Sequence, residues 1–273
     1  HAPDYPRPEL TSAGTPAMRE YLLIAPYNDL AESRRIIVEN AAELAGVIIE
    51  PLQRCISPKP GFLEGIRAAC TEAGVLFIYD EVVTGFRLAY GGAQEYYGVV
   101  PDLIAYGKAL GGGYPIGAFG GRTDIMEWTN EHRIGGDDYV WMASTLGGNP
   151  ISTAAANAAL GVLRQPGTYE KLHCLGSYLR EGMTKVLAHR QINAQIIGDG
   201  PLAQVVFSAD PVFDYRSTKK GDSVKGRALM LALFDRGIFL NPMGTKLYIS
   251  VAHDETVCDA MLDRFDDALE EII

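Results

Sequence analysis

The stretch LFIYDEVVTGFR, residues 76–87, decides the fold. The residues just before its first acidic side chain are apolar, and this pattern predicts a buried strand over residues 75–79. Two carboxylates, Asp80 and Glu81, follow this strand directly. Burying a carboxylate costs free energy unless a cation or hydrogen-bond donors meet it. We therefore expect Asp80 to have a specific positively charged or hydrogen-bonding partner.

The residues on the N-terminal side of this strand complete a predicted βαβ unit. Residues 47–50 form a short apolar strand, and residues 61–74 follow with apolar side chains at helical spacing and a glycine that ends the helix. A strand, a helix and a strand at this spacing predict parallel pairing through a right-handed crossover. Ligands of parallel α/β sheets bind at the carboxyl ends of the strands. Glu50 and Asp80 both lie at such ends and are therefore candidate ligand-binding residues.

The downstream sequence predicts further strands and helices. Apolar runs at residues 103–106 and 116–120 indicate two short strands. Asn149 and Pro150 indicate the start of an alanine-rich helix, because asparagine is a favoured N-cap and proline a favoured first helical residue. Apolar side chains at three- and four-residue spacing over residues 172–186 predict a second helix.

A change of pattern near residue 190 predicts a domain boundary. Beyond it, separate strands alternate with two helices, and the last helix is expected to begin near Asp254. We therefore predict an α/β protein with a large domain, residues 1–190, built on a mainly parallel sheet. Residues 191–273 are predicted to form a small α+β domain.

Composition excludes several classes of partner. The 273 residues have a formal net charge of -10, which disfavours nucleic acid and anionic membranes as partners. No apolar run approaches the roughly 20 residues that span a bilayer. The four cysteines are scattered, without the spacing of a zinc site, so we expect reduced thiols, no metal and a cytoplasmic protein.

A lysine beside a glycine cluster, in PDLIAYGKALGGGYPIGAFGG (residues 101–121), suggests a bound phosphate or cofactor. A P-loop requires G-x-x-x-x-G-K-[ST], but Lys108 is followed by alanine and Asp102 stands at the first glycine position. A dinucleotide fingerprint requires G-x-G-x-x-G, but after Gly111 and Gly113 the next glycine is one place late and Pro115 interrupts the turn. Both nucleotide-binding motifs therefore fail.

Pyridoxal phosphate (PLP) chemistry uses both the aspartate and the lysine. A carboxylate keeps the pyridine nitrogen protonated, and a lysine forms the Schiff base and then moves the substrate proton. Two simpler interpretations stay open from the residues alone. Asp80 could cap a loop, and Lys108 could be a solvated surface side chain.

Three motifs in order, FIYDEVVTGFR, GVVPDLIAYGKALGGGYPIGAFGG and STLGGNP, resemble the class III aminotransferases of PLP fold type I. The resemblance runs from about residue 20 to the C-terminus. APYNDL and SVAHDE further resemble the glutamate-1-semialdehyde aminomutase-like branch. The resemblance implies a large PLP-binding domain and a small C-terminal domain, and we expect that the family's usual N-terminal part, with its phosphate-binding turn, is not represented here.

The resemblance also implies roles for individual residues. Asp80 corresponds to the partner of the pyridine nitrogen, and Val82 to the residue that packs on one face of the ring. Lys108 corresponds to the Schiff-base lysine. Thr145 corresponds to the residue that reaches the cofactor phosphate of a neighbouring subunit, which implies a homodimer. Glu50 corresponds to a family carboxylate near the cofactor.

Other family positions bear on the substrate. For Glu81 and Arg87, a salt bridge or an indirect contact is the favoured interpretation. The sequence has Asn241 where amino-acid-specific members place a carboxylate-binding arginine, and Thr245 where an aminomutase has a glutamate. We therefore expect transamination between an amine or ω-amino acid and a keto acid or aldehyde, through a Schiff base on Lys108. The alternatives are an aminomutase or a catalytically impaired PLP-binding fragment.

Overall fold

The computed structural model describes residues 20–241 and 245–272. In its first half the main elements are, in chain order, α1 (Leu30–Glu39), β1 (Gly46–Ile49), α2 (Phe62–Ala73), β2 (Leu76–Glu81), α3 (Ala93–Tyr97), β3 (Leu103–Tyr106), β4 (Ala118–Gly121) and α4 (Thr123–Met126). The second half contains α5 (Pro150–Leu163), α6 (Thr168–His189), β5 (Gln195–Ile197), β6 (Leu202–Val206), α7 (Tyr215–Thr218), α8 (Ser223–Asp235), β7 (Lys246–Tyr248) and α9 (Glu255–Ile272). No helix of the described residues is long and apolar enough to cross a membrane.

The predicted βαβ unit is confirmed. Strands β1 and β2 pair in parallel, with Ile49 opposite Tyr79, and α2 is the crossover between them. Strand β3 adds in parallel, with Asp80 opposite Ala105, and β4 adds antiparallel to β3. These four strands, in the order β1-β2-β3-β4, are called the N-terminal sheet below. Strand β2 extends past the predicted end at Tyr79 and includes both carboxylates, because their backbones keep pairing with β3.

The two faces of the N-terminal sheet differ in burial. On the face that packs against α1 and α2, called the packed face, Phe77 and Tyr79 have no exposed surface. On the opposite face, called the open face, Ile48 is 66% exposed and Phe119 is 47% exposed. Because successive strand residues point to opposite faces, Asp80 lies on the open face and its neighbour Glu81 on the packed face.

Local signals in the sequence set the ends of two helices. Gly74 ends α2 in a left-handed conformation, with φ of 66°, and its N–H donates to the carbonyl of Cys70. Such a conformation is easy only for glycine. Asn149 caps α5 by accepting the N–H of Ser152, and Pro150 is the first residue of the helix. The predicted start of α5 is therefore confirmed.

The C-terminal elements have a core of their own. Strands β5, β6 and β7 form an antiparallel sheet, called the C-terminal sheet, and α6, α8 and α9 pack against it. Met183, Leu229 and Phe265 have no exposed surface in this core. Helix α9 begins at Glu255, as predicted. The boundary near residue 190 stays a prediction, and α6, which precedes it, shares its buried side chains with the C-terminal elements.

Candidate active site

The carboxyl ends of β1, β2 and β3 bring together four of the five residues predicted for the site. Glu50 follows the last residue of β1, and Asp80 lies near the end of β2. Val82 follows β2, and Lys108 comes two residues after β3 ends at Tyr106. Because the three strands are parallel neighbours, their carboxyl ends meet at one edge of the sheet.

Asp80 is half-buried and only partly satisfied. Its Oδ1 accepts the N–H of Val82 at 3.1 Å, and its Oδ2 has no hydrogen bond to another described residue. The side chain of Val82 lies beside the backbone that leads to Lys108, because a Cβ placed on Gly107 would lie 3.4 Å from Val82 Cγ1. The available carboxylate oxygen of Asp80, Val82 and the lysine backbone are therefore neighbours at the open face.

The backbone of Lys108 is strained. Its φ is 44°, in the left-handed region that costs a non-glycine residue roughly 1–2 kcal/mol. It begins a 3-10 turn, and its side chain is exposed and makes no hydrogen bond or ion pair with another described residue. Strain of this kind is concentrated at functional sites. Lys108 thus lies at the sheet edge, and no contact of its side chain with another described residue explains the strain.

Glu50 is the second carboxylate at this edge. Burial raises its pKa, the negative charge of Asp80 raises it further, and the positive charges of Arg54 and Lys246 oppose the rise. The structure therefore places Glu50 within electrostatic reach of Asp80, as the neighbouring strand ends predicted.

Glu81 and Arg87 do not form the salt bridge that the sequence favoured as one interpretation. Glu81 has no exposed surface and accepts the N–H groups of Ala93 and Gln94, at 2.5 and 3.2 Å, and the hydroxyl of Thr84, at 3.0 Å. It thereby caps the N-terminus of α3. No ion pair joins Glu81 to another described residue, since the donors that satisfy it are neutral.

Arg87 is held by neutral groups. Its Nη1 donates to the carbonyl of Val83 at 2.6 Å, and its guanidinium lies 5.3 Å from the ring centre of Tyr248. Burial lowers its pKa. Arg87 also lines a cavity of about 840 Å³ that includes Lys108. The other walls are largely apolar, from Phe86 and the alanines of α5, so the cavity suits an organic molecule.

Sequence reasoning did not single out this cavity. Part of its polar wall comes from Ser250, which lies more than 140 positions from Lys108 in the chain. Only the motif TGFR gave a signal for Arg87, and nothing in the sequence indicated that the segment after β7 approaches Lys108.

Thr145 is the predicted residue that the structure does not bring to the others. It is exposed and makes no hydrogen bond to another described residue. Its predicted role in a neighbouring subunit stays a prediction. Thr245, at the position of the aminomutase glutamate, is buried and donates its hydroxyl to the carbonyl of Val205.

The described residues contain no group of three or more His, Cys, Asp or Glu side chains placed to hold a metal ion. The four cysteines are all unpaired, and only Cys174 is exposed. The side-chain donors that the structure brings together at the sheet edge are the carboxylates of Glu50 and Asp80 and the amine of Lys108.

The structure thus has a mainly parallel sheet with an aspartate and a strained lysine at adjacent strand ends, and this arrangement is consistent with the PLP fold type I class. The Aminotransferase class-III family matches residues 16–273, and the chain belongs to this family.

Two kinds of relative agree with this family. A glutamate-1-semialdehyde 2,1-aminomutase of Myxococcus xanthus is 41% identical over 235 residues, which are 85% of this chain and 53% of that protein. Among solved structures, an omega-transaminase from Sphaerobacter thermophilus superposes with a TM-score of 0.88 at 31% identity, over 96% of this chain and 60% of that one. A β-phenylalanine aminotransferase from Variovorax paradoxus has a TM-score of 0.82 at 28% identity, over 91% and 57% of the two chains. The chain thus spans about half the length of the curated relative described here.

Proposed function

We propose that the chain binds PLP and transfers an amino group between an amine or ω-amino acid donor and a keto acid or aldehyde acceptor. The observation that supports this most directly is the placement of Asp80 and Lys108 on adjacent parallel strand ends, with one carboxylate oxygen and the lysine amine free of other described partners.

The residues present fit PLP. Asp80 offers a carboxylate for the pyridine nitrogen, Val82 an apolar surface for the ring, and Lys108 an amine for the aldehyde carbon. PLP bound there supplies an electron sink for negative charge that develops on the substrate carbon. Glu50, whose pKa is raised by burial and by Asp80, adds a second acidic group beside the ring site.

Asp80 and Lys108 have different roles in the proposed reaction. Asp80 holds positive charge on the ring nitrogen and so favours electron withdrawal from the substrate. The amine of Lys108 would take the proton from the substrate carbon and return it later in the reaction. The largely apolar walls of the adjacent cavity offer an organic substrate a binding surface beside Lys108.

The phosphate of the cofactor is the reason to propose a homodimer. Thr145 lies on an exposed segment between two large apolar side chains that are also exposed, Trp141 at 70% and Leu146 at 73%. Such apolar surface is typical of a protein interface. A second copy that covers this segment would bring Thr145 to the neighbouring cofactor. We also propose that the protein resides in the cytoplasm.

An aminomutase is the second candidate, since the curated relative described above has that name. The position of the aminomutase glutamate argues against it. That position holds Thr245, whose hydroxyl donates to the carbonyl of Val205. A catalytically impaired PLP-binding fragment is the third candidate. Assays with an ω-amino acid plus pyruvate, and separately with glutamate-1-semialdehyde, decide among the three.

The test of cofactor attachment is reductive labelling. The chain is mixed with PLP, reduced with borohydride and mapped by peptide mass, beside Lys108→Ala and the control Lys220→Ala, whose lysine is exposed. We expect a pyridoxyl label on Lys108 in the unchanged chain and in Lys220→Ala. Lys108→Ala should show neither the label nor turnover. A label scattered over surface lysines, or turnover by Lys108→Ala, would contradict the proposal.

A further inference from the structure

A second cavity, of about 540 Å³, lies between the turn that follows β1 and the C-terminal sheet. Four cationic side chains line it: Arg54 from that turn, Lys219 after α7, Arg227 on α8 and Lys246 on β7. The lining of this cavity does not include Lys108, Asp80 or Glu50, although Arg54 and Lys246 lie within electrostatic reach of Glu50.

The charge of this cavity is opposite to that of the whole chain, whose net charge is -10. None of the four cations has an ion pair with a described residue. The one carboxylate in the lining belongs to Asp222, whose Oδ1 accepts the N–H groups of Val224 and Lys225 at 3.0 Å, so four positive charges face one negative charge. The cavity therefore has a local excess of positive charge.

Lys246 is the most informative of the four cations. It is only 8% exposed and makes no side-chain hydrogen bond with a described residue. Burial lowers its pKa, the charges of Cys55 and Glu50 oppose the decrease, and Arg54 adds to it. A buried ammonium group is costly unless an anion meets it. No described carboxylate does so within ion-pair distance.

Two further features indicate a preformed site. The Oε1 atom of Gln53, in the cavity lining, is buried without a hydrogen-bond partner among the described residues. The guanidinium of Arg54 lies 5.2 Å from the ring centre of Tyr215, and the amine of Lys219 lies 5.0 Å from it. These cation–π contacts hold a cation from the N-terminal half beside a cation from the C-terminal half.

We propose that this cavity binds the phosphate group of a small molecule, with Lys246 and Arg227 as principal ligands and Arg54 and Lys219 completing the charge. Guanidinium forks and ammonium groups are the side chains that bind phosphate most strongly. The unpartnered Gln53 Oε1 can accept a hydroxyl of the same ligand. Because the cations come from both halves of the chain, the ligand stabilises their packing. This inference is independent of the proposed transamination.

The experiment is thermal unfolding of the chain with inorganic phosphate, and separately with glycerol 3-phosphate, against chloride at matched ionic strength. We expect a saturable rise in Tm with either phosphate. Lys246→Met should weaken the apparent affinity by about tenfold or more. Without phosphate, its Tm should equal or exceed that of the unchanged chain, because an unpaired buried cation has been replaced by an apolar side chain of similar length.

Three control variants keep the result interpretable. Arg227→Gln, at an exposed position, tests the same cavity without a change in the core and should also weaken binding. Lys220→Gln removes a neighbouring surface charge outside the lining and should leave binding unchanged. Thr145→Ala removes the proposed contact to the cofactor phosphate and should likewise leave it unchanged.

Each contrary result overturns the proposal. An equal Tm response in Lys246→Met and Arg227→Gln would show that phosphate binds elsewhere, and loss of the response in Thr145→Ala would assign it to the cofactor site. An equal rise in Tm with chloride would show that the phosphate response is only the screening of charges by salt. Stronger binding of glycerol 3-phosphate than of phosphate supports an organic phosphate as ligand, and the reverse supports free phosphate.

Discussion

The two faces of the N-terminal sheet give adjacent carboxylates opposite tasks. Glu81 lies on the packed face, is fully buried and accepts three hydrogen bonds. Asp80 lies on the open face, is half-buried and accepts one hydrogen bond, from Val82. The difference follows from the two-residue period of a strand, which sends neighbouring side chains to opposite faces. A carboxylate that the fold has satisfied stabilises the structure, whereas one that it has left unsatisfied is available for a ligand.

The largest effect expected from this comparison is on activity. Asp80→Asn should lower kcat/KM of transamination by at least about a hundredfold, because the ring nitrogen loses its charged partner. The unfolding free energy should change little, since Asp80 makes one hydrogen bond. Removing its charge should also lower the pKa of Glu50, which Asp80 raises. Steady-state kinetics and urea unfolding measure the first two quantities.

Asp235→Asn is the matched control, because this aspartate is exposed at the end of α8. It should leave both kinetics and stability unchanged. A variant at position 80 that keeps full activity would break the comparison, because the unsatisfied carboxylate would then have no role in catalysis.

The second effect is on stability. Glu81→Ala should lower the unfolding free energy by about 3 kcal/mol, because the N–H groups of Ala93 and Gln94 lose their acceptor. Glu81→Gln keeps an acceptor and should cost less. Urea unfolding measures both variants, and spectroscopic retention of the fold is required for the comparison.

The pH dependence sharpens the same test. Burial raises the pKa of Glu81 above its ordinary value, although the hydrogen bonds from Ala93, Gln94 and Thr84 oppose the rise. A raised folded-state pKa contributes stability that is present at low pH and is lost as the pH rises through that pKa. Glu81→Gln should therefore flatten the decrease in urea midpoint as the pH rises from about 4. An unchanged slope would mean that Glu81 is ionised without cost.

The smallest effect belongs to the open face. Ile48→Ala should change the unfolding free energy by at most about 0.5 kcal/mol, because the side chain is 66% exposed. Ile66→Ala, at a position 2% exposed beneath the packed face, should cost about 2–4 kcal/mol. Urea unfolding of the two variants measures the ratio. A cost above 1 kcal/mol at Ile48 would show that another surface covers the open face in solution.

Local patterns predicted the parts of the fold that depend on nearby residues. The βαβ unit, the glycine that ends α2 and the asparagine that caps α5 were all correct, since each rests on spacing or on the conformational preference of one residue. The end of β2 was predicted two residues early, because apolarity ends at Tyr79 whereas backbone pairing with β3 continues.

The site was predictable in part for the same reason. Parallel strands meet at their carboxyl ends, so a correct strand assignment placed Glu50, Asp80 and Lys108 together without knowledge of distances. The strain at Lys108 and the wall formed by Arg87 were not predictable, since they depend on how loops pack.

The sequence by itself determined the parallel pairing of β1 and β2, the carboxylate and the lysine that follow apolar strands, and membership in the class-III aminotransferase family. Only the tertiary structure decided that Glu81 caps α3 and that Arg54 and Lys246, nearly 200 residues apart, line the same cavity. The physical reason is range: periodicity and capping act over a few residues, whereas burial and electrostatics depend on which distant segments the core brings together.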